Sequence, residues 1–180
     1  MCFIQIGAIK VVQILDRETV NSYTLKIQAS DSGTTPNKVT VNAVITVGDE
    51  NDNAPVISRQ PAPFIVTENS ALGTKIGAVH ATDADEGSNG DITFSIADGN
   101  TGGAFEIDTA SGVITVKGSI DHEKSSTFNL TVMATDNGVP SLSSIEAFVV
   151  NVIDINDNAP VFDKRSYHGK QIISLVKLKH

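Results

Sequence analysis

The sequence has no Trp, a single Cys and few aromatic residues, and each shortage narrows the possible classes of protein. Aromatic residues make up 5% of the 180 residues, so a core must be built mainly from Val, Ile, Leu and Ala, which suit small β-domains. The lone Cys2 cannot form an internal disulfide, and it cannot build a zinc site without partner ligands. An internal disulfide is therefore excluded as a source of stability for this fold.

Clusters of basic residues and long apolar runs are also lacking. The net charge is −8, and no group of Lys and Arg could neutralise the phosphates of a nucleic acid, so no nucleic-acid partner is expected. Residues 1–15 lack the basic start and cleavage site of a signal peptide, and residues 171–180 are too short to span a bilayer. The acidic excess indicates either a solvated surface or carboxylates gathered around a cation.

An internal repeat separates these two interpretations. The run Asn51-Asp52-Asn53-Ala54-Pro55-Val56 recurs 105 positions later as Asn156-Asp157-Asn158-Ala159-Pro160-Val161. In the same register, Asp16-Arg17-Glu18 matches Asp121-His122-Glu123, Asp31 matches Asp136, and Asp49 matches Asp154. This period has the length of a domain. We predict the closing half of a repeat at 1–53, a complete repeat at 54–158 and the start of a third at 159–180.

Alternation of apolar and polar residues predicts an all-β fold. Tyr23, Leu25, Ile27 and Ala29 alternate with polar positions, and Phe128, Leu130, Val132 and Ala134 repeat the pattern. Gly-, Asn- and Asp-rich turns separate such segments, and no helical period of convincing length is present. We expect antiparallel strands in a Greek-key β-sandwich of immunoglobulin-like architecture, with about seven strands in ~100 residues.

Most acidic residues lie where a strand ends or a turn begins. Strand ends converge at the two poles of a sandwich, so these carboxylates should form two clusters. Within each cluster the carboxylates repel one another unless a cation compensates their charge. Calcium takes six to eight such oxygen ligands, whereas magnesium needs a tighter octahedron. Zinc or copper is disfavoured, because the His residues do not pair in spacing with another His or Cys; they are expected at the surface and are His80, His122, His168 and His180.

The motifs together resemble those of cadherin repeats. They are Asp16-Arg17-Glu18, Val66-Thr67-Glu68-Asn69, Ala81-Thr82-Asp83-Ala84-Asp85, Ala134-Thr135-Asp136-Asn137-Gly138 and the two Asp-X-Asn-Asp-Asn-Ala-Pro runs. The resemblance covers roughly residues 7–163 and implies calcium-dependent cell–cell adhesion. It also implies a location on the extracellular side of the plasma membrane, in a single-pass parent protein. Its expected partners are other cadherin-type ectodomains, like or unlike, and the absence of Trp puts aside adhesion by exchange of a Trp-bearing strand.

The resemblance also implies a set of calcium ligands at each of two junctions between repeats. At the first junction, two ions would use Asp16, Glu18, Asp49, the Glu50 carbonyl and Asp52, with Asp85 reaching one of them. A third ion there, with every ligand present, would use Asn51, the Asn53 carbonyl, Asp83, Asp85, the Asn89 carbonyl and Asp136. At the second junction, ions would use Glu68, Asp121, Glu123, Asp154, the Ile155 carbonyl and Asp157. Asp31 resembles a ligand for an earlier junction.

Two other functions compete with this one. Asp121 with Glu123, or Asp83 with Asp85, could act as a general acid/base pair, but two residues of separation put both on one side of a cleft. Recurrence of such pairs at each junction favours a structural role, so no enzyme is expected. The second alternative is a secreted β-sandwich binding module without calcium or an adhesive role. Asn129-Leu130-Thr131 is an N-glycosylation sequon, and Asn129 should point outward.

Overall fold

The computed structural model describes residues 7–162, and strands dominate them. The all-β prediction is confirmed, with two 3-10 turns at Gly87–Asn89 and Thr101–Gly103 between strands. The strands are β1 (Ser22–Ser30), β2 (Lys38–Thr46), β3 (Val56–Ile57), β4 (Phe64–Thr67), β5 (Lys75–Ala78), β6 (Ala81–Thr82), β7 (Ile92–Asp98), β8 (Phe105–Ile107), β9 (Val113–Val116), β10 (Thr127–Asp136) and β11 (Ser143–Ile153). The predicted third repeat covers residues 159–180, and its part after Phe162 lies outside the described residues.

Seven strands, β4, β5 and β7 to β11, form a two-layer sandwich, while β6 pairs with β3 in a separate two-stranded sheet. One sheet has the order β4-β11-β10-β7, and the other has the order β5-β9-β8. Apolar side chains from both sheets meet in one core, which includes Phe94, Phe105, Ile114, Leu130 and Val150. Because the inward positions of β10 alternate strictly with more exposed ones, the period of two in the sequence places its Phe128, Leu130, Val132 and Ala134 in that core. Asn129 between them is exposed, as predicted.

One strand pair departs from the antiparallel expectation. β4 runs parallel to β11, with Phe64 opposite Val150 and Thr67 opposite Ile153, whereas every other strand pair among residues 7–162 is antiparallel. A parallel pair requires the chain to cross over between its strands. Here the chain passes through the second sheet before it returns as β11.

The sequence offset of 105 recurs in the strand register. Ser22 lies opposite Thr46 in the β1–β2 hairpin, and Thr127 lies opposite Asn151 in the β10–β11 pair. The loops closing these hairpins share their hydrogen bonds as well. Asp31 Oδ1 accepts from the Gly33 and Asn37 amides, each at 3.1 Å. Asp136 Oδ1 accepts from the Gly138 amide at 3.0 Å and the Leu142 amide at 3.1 Å. The two hairpins are therefore the same local structure.

Their surroundings differ. In β10, Leu130 and Val132 are fully buried under the second sheet. The matching residues of β1 are only half-buried at Leu25 and 39% exposed at Ile27. In the described part of the chain, β1 and β2 form a two-stranded sheet on their own. A hairpin of this size has little independent stability, because one apolar face stays in contact with water.

Candidate metal centre

Three carboxylates meet at the first junction, which we define as the linker 49–55 and the acidic groups around it. Ligand oxygens of Glu18, Asp49 and Asp85 all lie within 4.8 Å of one another. Glu18 comes from the turn before β1, Asp49 from the linker after β2, and Asp85 from the loop after β6. Asp85 is only 7% exposed, so its charge needs compensation nearby. The cluster thus joins segments from both sides of the linker.

Arg17 supplies positive charge at this cluster, a role that the sequence reasoning missed. Its guanidinium forms ion pairs with Glu18 at 2.5 Å, with Asp49 and with Glu86 at 2.8 Å. Desolvation would lower the pKa of Arg17, but the charge of Asp49 and its neighbours keeps that pKa above its ordinary value. The only feature of the sequence that could have indicated this role is the position of Arg17 between Asp16 and Glu18.

Asp49 stays ionised although desolvation opposes it. Burial acts to raise the pKa of Asp49, yet hydrogen bonds from Asn89 and Glu86, with the Arg17 charge, keep it below the ordinary value. Asn89 Nδ2 donates to Asp49 Oδ2 at 2.8 Å, and the Glu86 amide donates to the same oxygen at 3.1 Å. Asn89 was expected to contribute its carbonyl, whereas the contact that the structure shows at this cluster is made by its side chain.

A second group of oxygens surrounds the linker residues Asn51 and Asn53. Asn51 Nδ2 donates to both Asp136 oxygens at 3.2 Å and to the Pro140 carbonyl at 2.6 Å. Asn53 donates to Asp85 through its amide at 3.1 Å and through Nδ2 at 2.7 Å. The Asp85 amide in turn donates to Asp83 at 3.0 Å, so these contacts link Asn51 to Asp136 and Asn53 to Asp85 and Asp83. The assignment of these residues to one metal site stays a prediction.

Two buried oxygens here test whether these residues suit a cation. Asp83 Oδ2 and Asn51 Oδ1 are buried, and neither has a hydrogen-bond partner in the part of the chain that the structure describes. A buried acceptor without a donor is unfavourable, and carboxylate and amide oxygens are the ligands that calcium prefers. The donor set and its unpaired oxygens therefore fit a hard cation such as calcium.

Other residues expected at the first junction are not drawn into the three-carboxylate cluster. Asp16 closes its own turn, and hydrogen bonds from the Thr19 hydroxyl and amide lower its pKa. Asp52 Oδ1 accepts from Asn53 Nδ2 at 2.7 Å, and the Glu50 carbonyl accepts from the Asp52 amide at 3.0 Å. Their assignment as ligands stays a prediction.

The second junction, at 154–160, contains a similar acidic cluster. Oxygens of Glu68, Asp121 and Glu123 lie within 4.8 Å of one another, and His122, Glu123 and Asp154 form an overlapping group. Glu68 is 2% exposed, and amide donation from Ile155 at 2.6 Å and from His122 at 2.9 Å lowers its pKa.

Asp157 and Asp121 make contacts of their own at the second junction. Asp157 Oδ2 accepts from Asn69 Nδ2 at 2.7 Å, outside the two groups above. A hydrogen bond and ion pair from the exposed Lys124, at 2.7 Å, lower the pKa of Asp121. His122 is half-buried and His80 exposed, while His168 and His180 fall outside the described residues.

Comparison with known proteins identifies the family. A family model described as "Cadherin domain" matches residues 62–153. The chain belongs to the cadherin family. The expected resemblance and fold class are thus confirmed. This cadherin chain is 38% identical over 161 residues to human "Protocadherin Fat 4", matching 89% of the chain and 3% of that protein. It is 42% identical over 171 residues to zebrafish (Danio rerio) "Protocadherin-19", matching 93% of the chain and 16% of that protein.

Solved cadherin structures share the fold. "Protocadherin gammaB7 EC3-6 cis-dimer structure" matches with a TM-score of 0.76 at 37% identity, over 87% of this chain and 38% of that one. Mouse Cadherin-23 EC22-24 matches with a TM-score of 0.74 at 34% identity, over 84% of this chain and 49% of that one. The chain spans a small part of the curated relatives given above. Among residues 7–162, no helix has the length and hydrophobicity to cross a bilayer.

Proposed function

We propose that this chain is part of a cell-surface adhesion protein in which calcium stiffens the junctions between repeats. One observation carries the proposal: Glu18, Asp49 and Asp85 come from both sides of a short linker and present their oxygens within 4.8 Å of one another. Similar charges at that separation repel unless a cation lies between them. A second acidic cluster, of Glu68, Asp121 and Glu123, lies at the second junction, and this supports a structural role over a single catalytic centre.

Different residues at the first junction would bind different calcium ions. Glu18 and Asp49 would hold ions on the side of β1 and β2, while Asp83 and Asp136 would hold one on the side of the sandwich. Asp85, which lies against both the three-carboxylate cluster and Asn53, would be shared. Bound calcium would supply the positive charge that lets these carboxylates stay close together. The proposed repeat boundaries, 1–53, 54–158 and 159–180, place the linker 49–55 where such stiffening limits bending.

The proposed partners and location follow from family membership. The relatives that match include Fat and protocadherin chains, and one solved structure is titled as a cis-dimer. This supports other cadherin-type ectodomains as partners, on the extracellular side of the plasma membrane, with the parent chain anchored by a single span. A binding role, with no enzymatic activity, fits the same set of relatives.

A calcium titration of the chain tests the proposal. Extracellular calcium modules bind with dissociation constants of about 10⁻⁴–10⁻³ M. At about ten times that constant, one ion should stabilise the folded chain by roughly 1.4 kcal/mol, which raises the unfolding midpoint by several degrees. Small-angle scattering should also report a more extended molecule. Magnesium at equal concentration is the control, and a midpoint unmoved by millimolar calcium would favour the calcium-free binding module.

The position of Gly138 gives a more local prediction. A Cβ on Gly138 would lie 2.3 Å from Asn51 Nδ2 and 2.8 Å from Asn51 Oδ1, so Gly138→Ala must displace Asn51 without removing any ligand. We expect calcium affinity at the third site to fall about tenfold, as measured by calorimetry. Gly48→Ala is the matched control, because it adds the same methyl group into open space three residues from Asn51. Equal affinities in both variants would show that Asn51 is not a ligand.

A further inference from the structure

The guanidinium of Arg17 is buried among acids of the first junction. Its side chain is 9% exposed, and its ion-pair partners are Glu18, Asp49 and Glu86. It also donates a hydrogen bond from Nη2 to the Ala84 carbonyl at 2.7 Å. A charge that is so little exposed must be paired and hydrogen-bonded, and Arg17 meets both conditions with its planar fork of donors.

These contacts bridge the linker. Arg17 and Glu18 precede β1, whereas Ala84 and Glu86 follow β6 in the sandwich. Asp49 starts the linker between them. One side chain therefore ties the turn before β1 to the loop after β6, a distance of 67 residues along the sequence for the Ala84 contact.

Two of the Arg17 partners are also candidate calcium ligands. Glu18 and Asp49 belong to the three-carboxylate cluster with Asp85. A carboxylate oxygen paired with a guanidinium has less negative charge to offer a metal ion, and the two cations repel each other. The guanidinium and a calcium ion would therefore draw on the same two carboxylates.

We propose that Arg17 is a tethered counter-ion, which holds the first junction together at low calcium and competes with calcium for Glu18 and Asp49. The proposal rests on the function proposed above. It places Arg17 as a residue that sets the calcium threshold of this junction. The third site should escape the competition, because Arg17 contacts neither Asn51, Asp83 nor Asp136. That site should consequently fill first, and the sites sharing Glu18 and Asp49 should fill at higher calcium.

The second junction supplies an internal comparison. His122 stands 105 positions after Arg17, with Asp121 and Glu123 beside it as Asp16 and Glu18 are beside Arg17. An imidazole is shorter and offers at most two N–H donors, against five on a guanidinium. The cation paired there is Lys124, which is 82% exposed on its side chain, and an exposed pair of this kind is weak. Only the first junction therefore has a buried tethered cation within the described residues.

Arg17→Gln in the whole chain tests both parts of the proposal. Arg17→Gln removes the positive charge but keeps a polar side chain. Arg17→Lys keeps the charge but loses the planar arrangement of N–H donors that the guanidinium provides. By calorimetry, Arg17→Gln should raise the calcium affinity of the sites using Glu18 and Asp49 by about five- to tenfold. In EGTA, it should speed hydrogen exchange of the amides at 49–53 and 84–86 several-fold. Arg17→Lys should lie between wild type and Gln on both measurements. Arg59→Gln, which removes an exposed Arg paired with Glu146 outside both junctions, is the control that should change neither.

Each outcome bears on the proposal. Lower calcium affinity in Arg17→Gln would mean that Arg17 orders the ligands instead of competing for them, and would overturn the competition. Unchanged affinity with unchanged exchange in EGTA would overturn the tether as well. A wild-type chain that binds no calcium would overturn the proposed function and the competition together. Equal calcium binding by wild type and Arg17→Gln would overturn the competition and leave the proposed function standing.

Discussion

Asp85→Ala should remove at least one bound calcium ion and weaken another by an order of magnitude or more. Asp85 is the carboxylate that both groups at the first junction share: it lies within 4.8 Å of Glu18 and Asp49, and it accepts two hydrogen bonds from Asn53. Its loss should therefore take a proposed ligand from the third site and from the neighbouring cluster at once. Most other side chains at the junction contact one group only.

The effect of Asp85→Ala should depend on calcium. Without calcium, Ala relieves repulsion with Asp49 and Glu18, which offsets the lost contacts with Asn53. We therefore expect nearly equal unfolding midpoints in EGTA and a midpoint several degrees below wild type in millimolar calcium. Glu106→Ala is the control, since it removes one carboxylate from β8 whose pair with Lys117 is exposed. A metal count and affinity equal to those of wild type would remove Asp85 from the ligand set.

Hydrogen exchange should separate the two matched hairpins by orders of magnitude. Amides of β10 and β11 should be protected to nearly the global stability, whereas the equivalent amides of β1 and β2 should exchange through local opening. Both hairpins have the same pairing register, so their hydrogen-bond ladders are comparable. The difference lies in what covers them, because Val150 is fully buried while its counterpart Ile45 is half-buried.

The measurement compares residues 22–46 with residues 127–151 at the same calcium concentration. Light scattering must show a monomer, since the open edges of β1 and β2 could pair with another chain. Calcium should slow exchange near Asp49 while it leaves the loop around Asp31 nearly unchanged. Equal protection of the two hairpins in a monomer would show that residues 1–53 fold alone, and the proposed boundary at residue 53 would then be wrong.

Much of the fold could be predicted because it depends on local pattern. The alternation from Phe128 to Ala134 places those residues in the core, and the offset of 105 anticipates the shared register of the two hairpins. The parallel pairing of β4 with β11 could not be predicted in this way. Those strands are distant in sequence, and the same alternation fits either direction.

The candidate site was predictable to the extent that strand ends determine it. Glu18, Asp49 and Asp85 are brought together because each follows or precedes a strand at one pole of the fold. The part played by Arg17 was not predictable, since a long side chain in a turn can reach many partners, and only the packed structure selects Asp49 and Glu86 among them. The orientation of Asn89 toward Asp49 depends on the same packing.

The parallel pairing of β4 with β11 has a mechanical consequence. Both strands run from the pole at the first junction toward the pole at the second, so tension transmitted through the two linkers pulls them lengthwise past each other. The ladder from Phe64–Val150 to Thr67–Ile153 is then loaded in shear, and its hydrogen bonds resist together instead of opening one after another as in a zipper. A repeat built in this way is suited to carry force along its length.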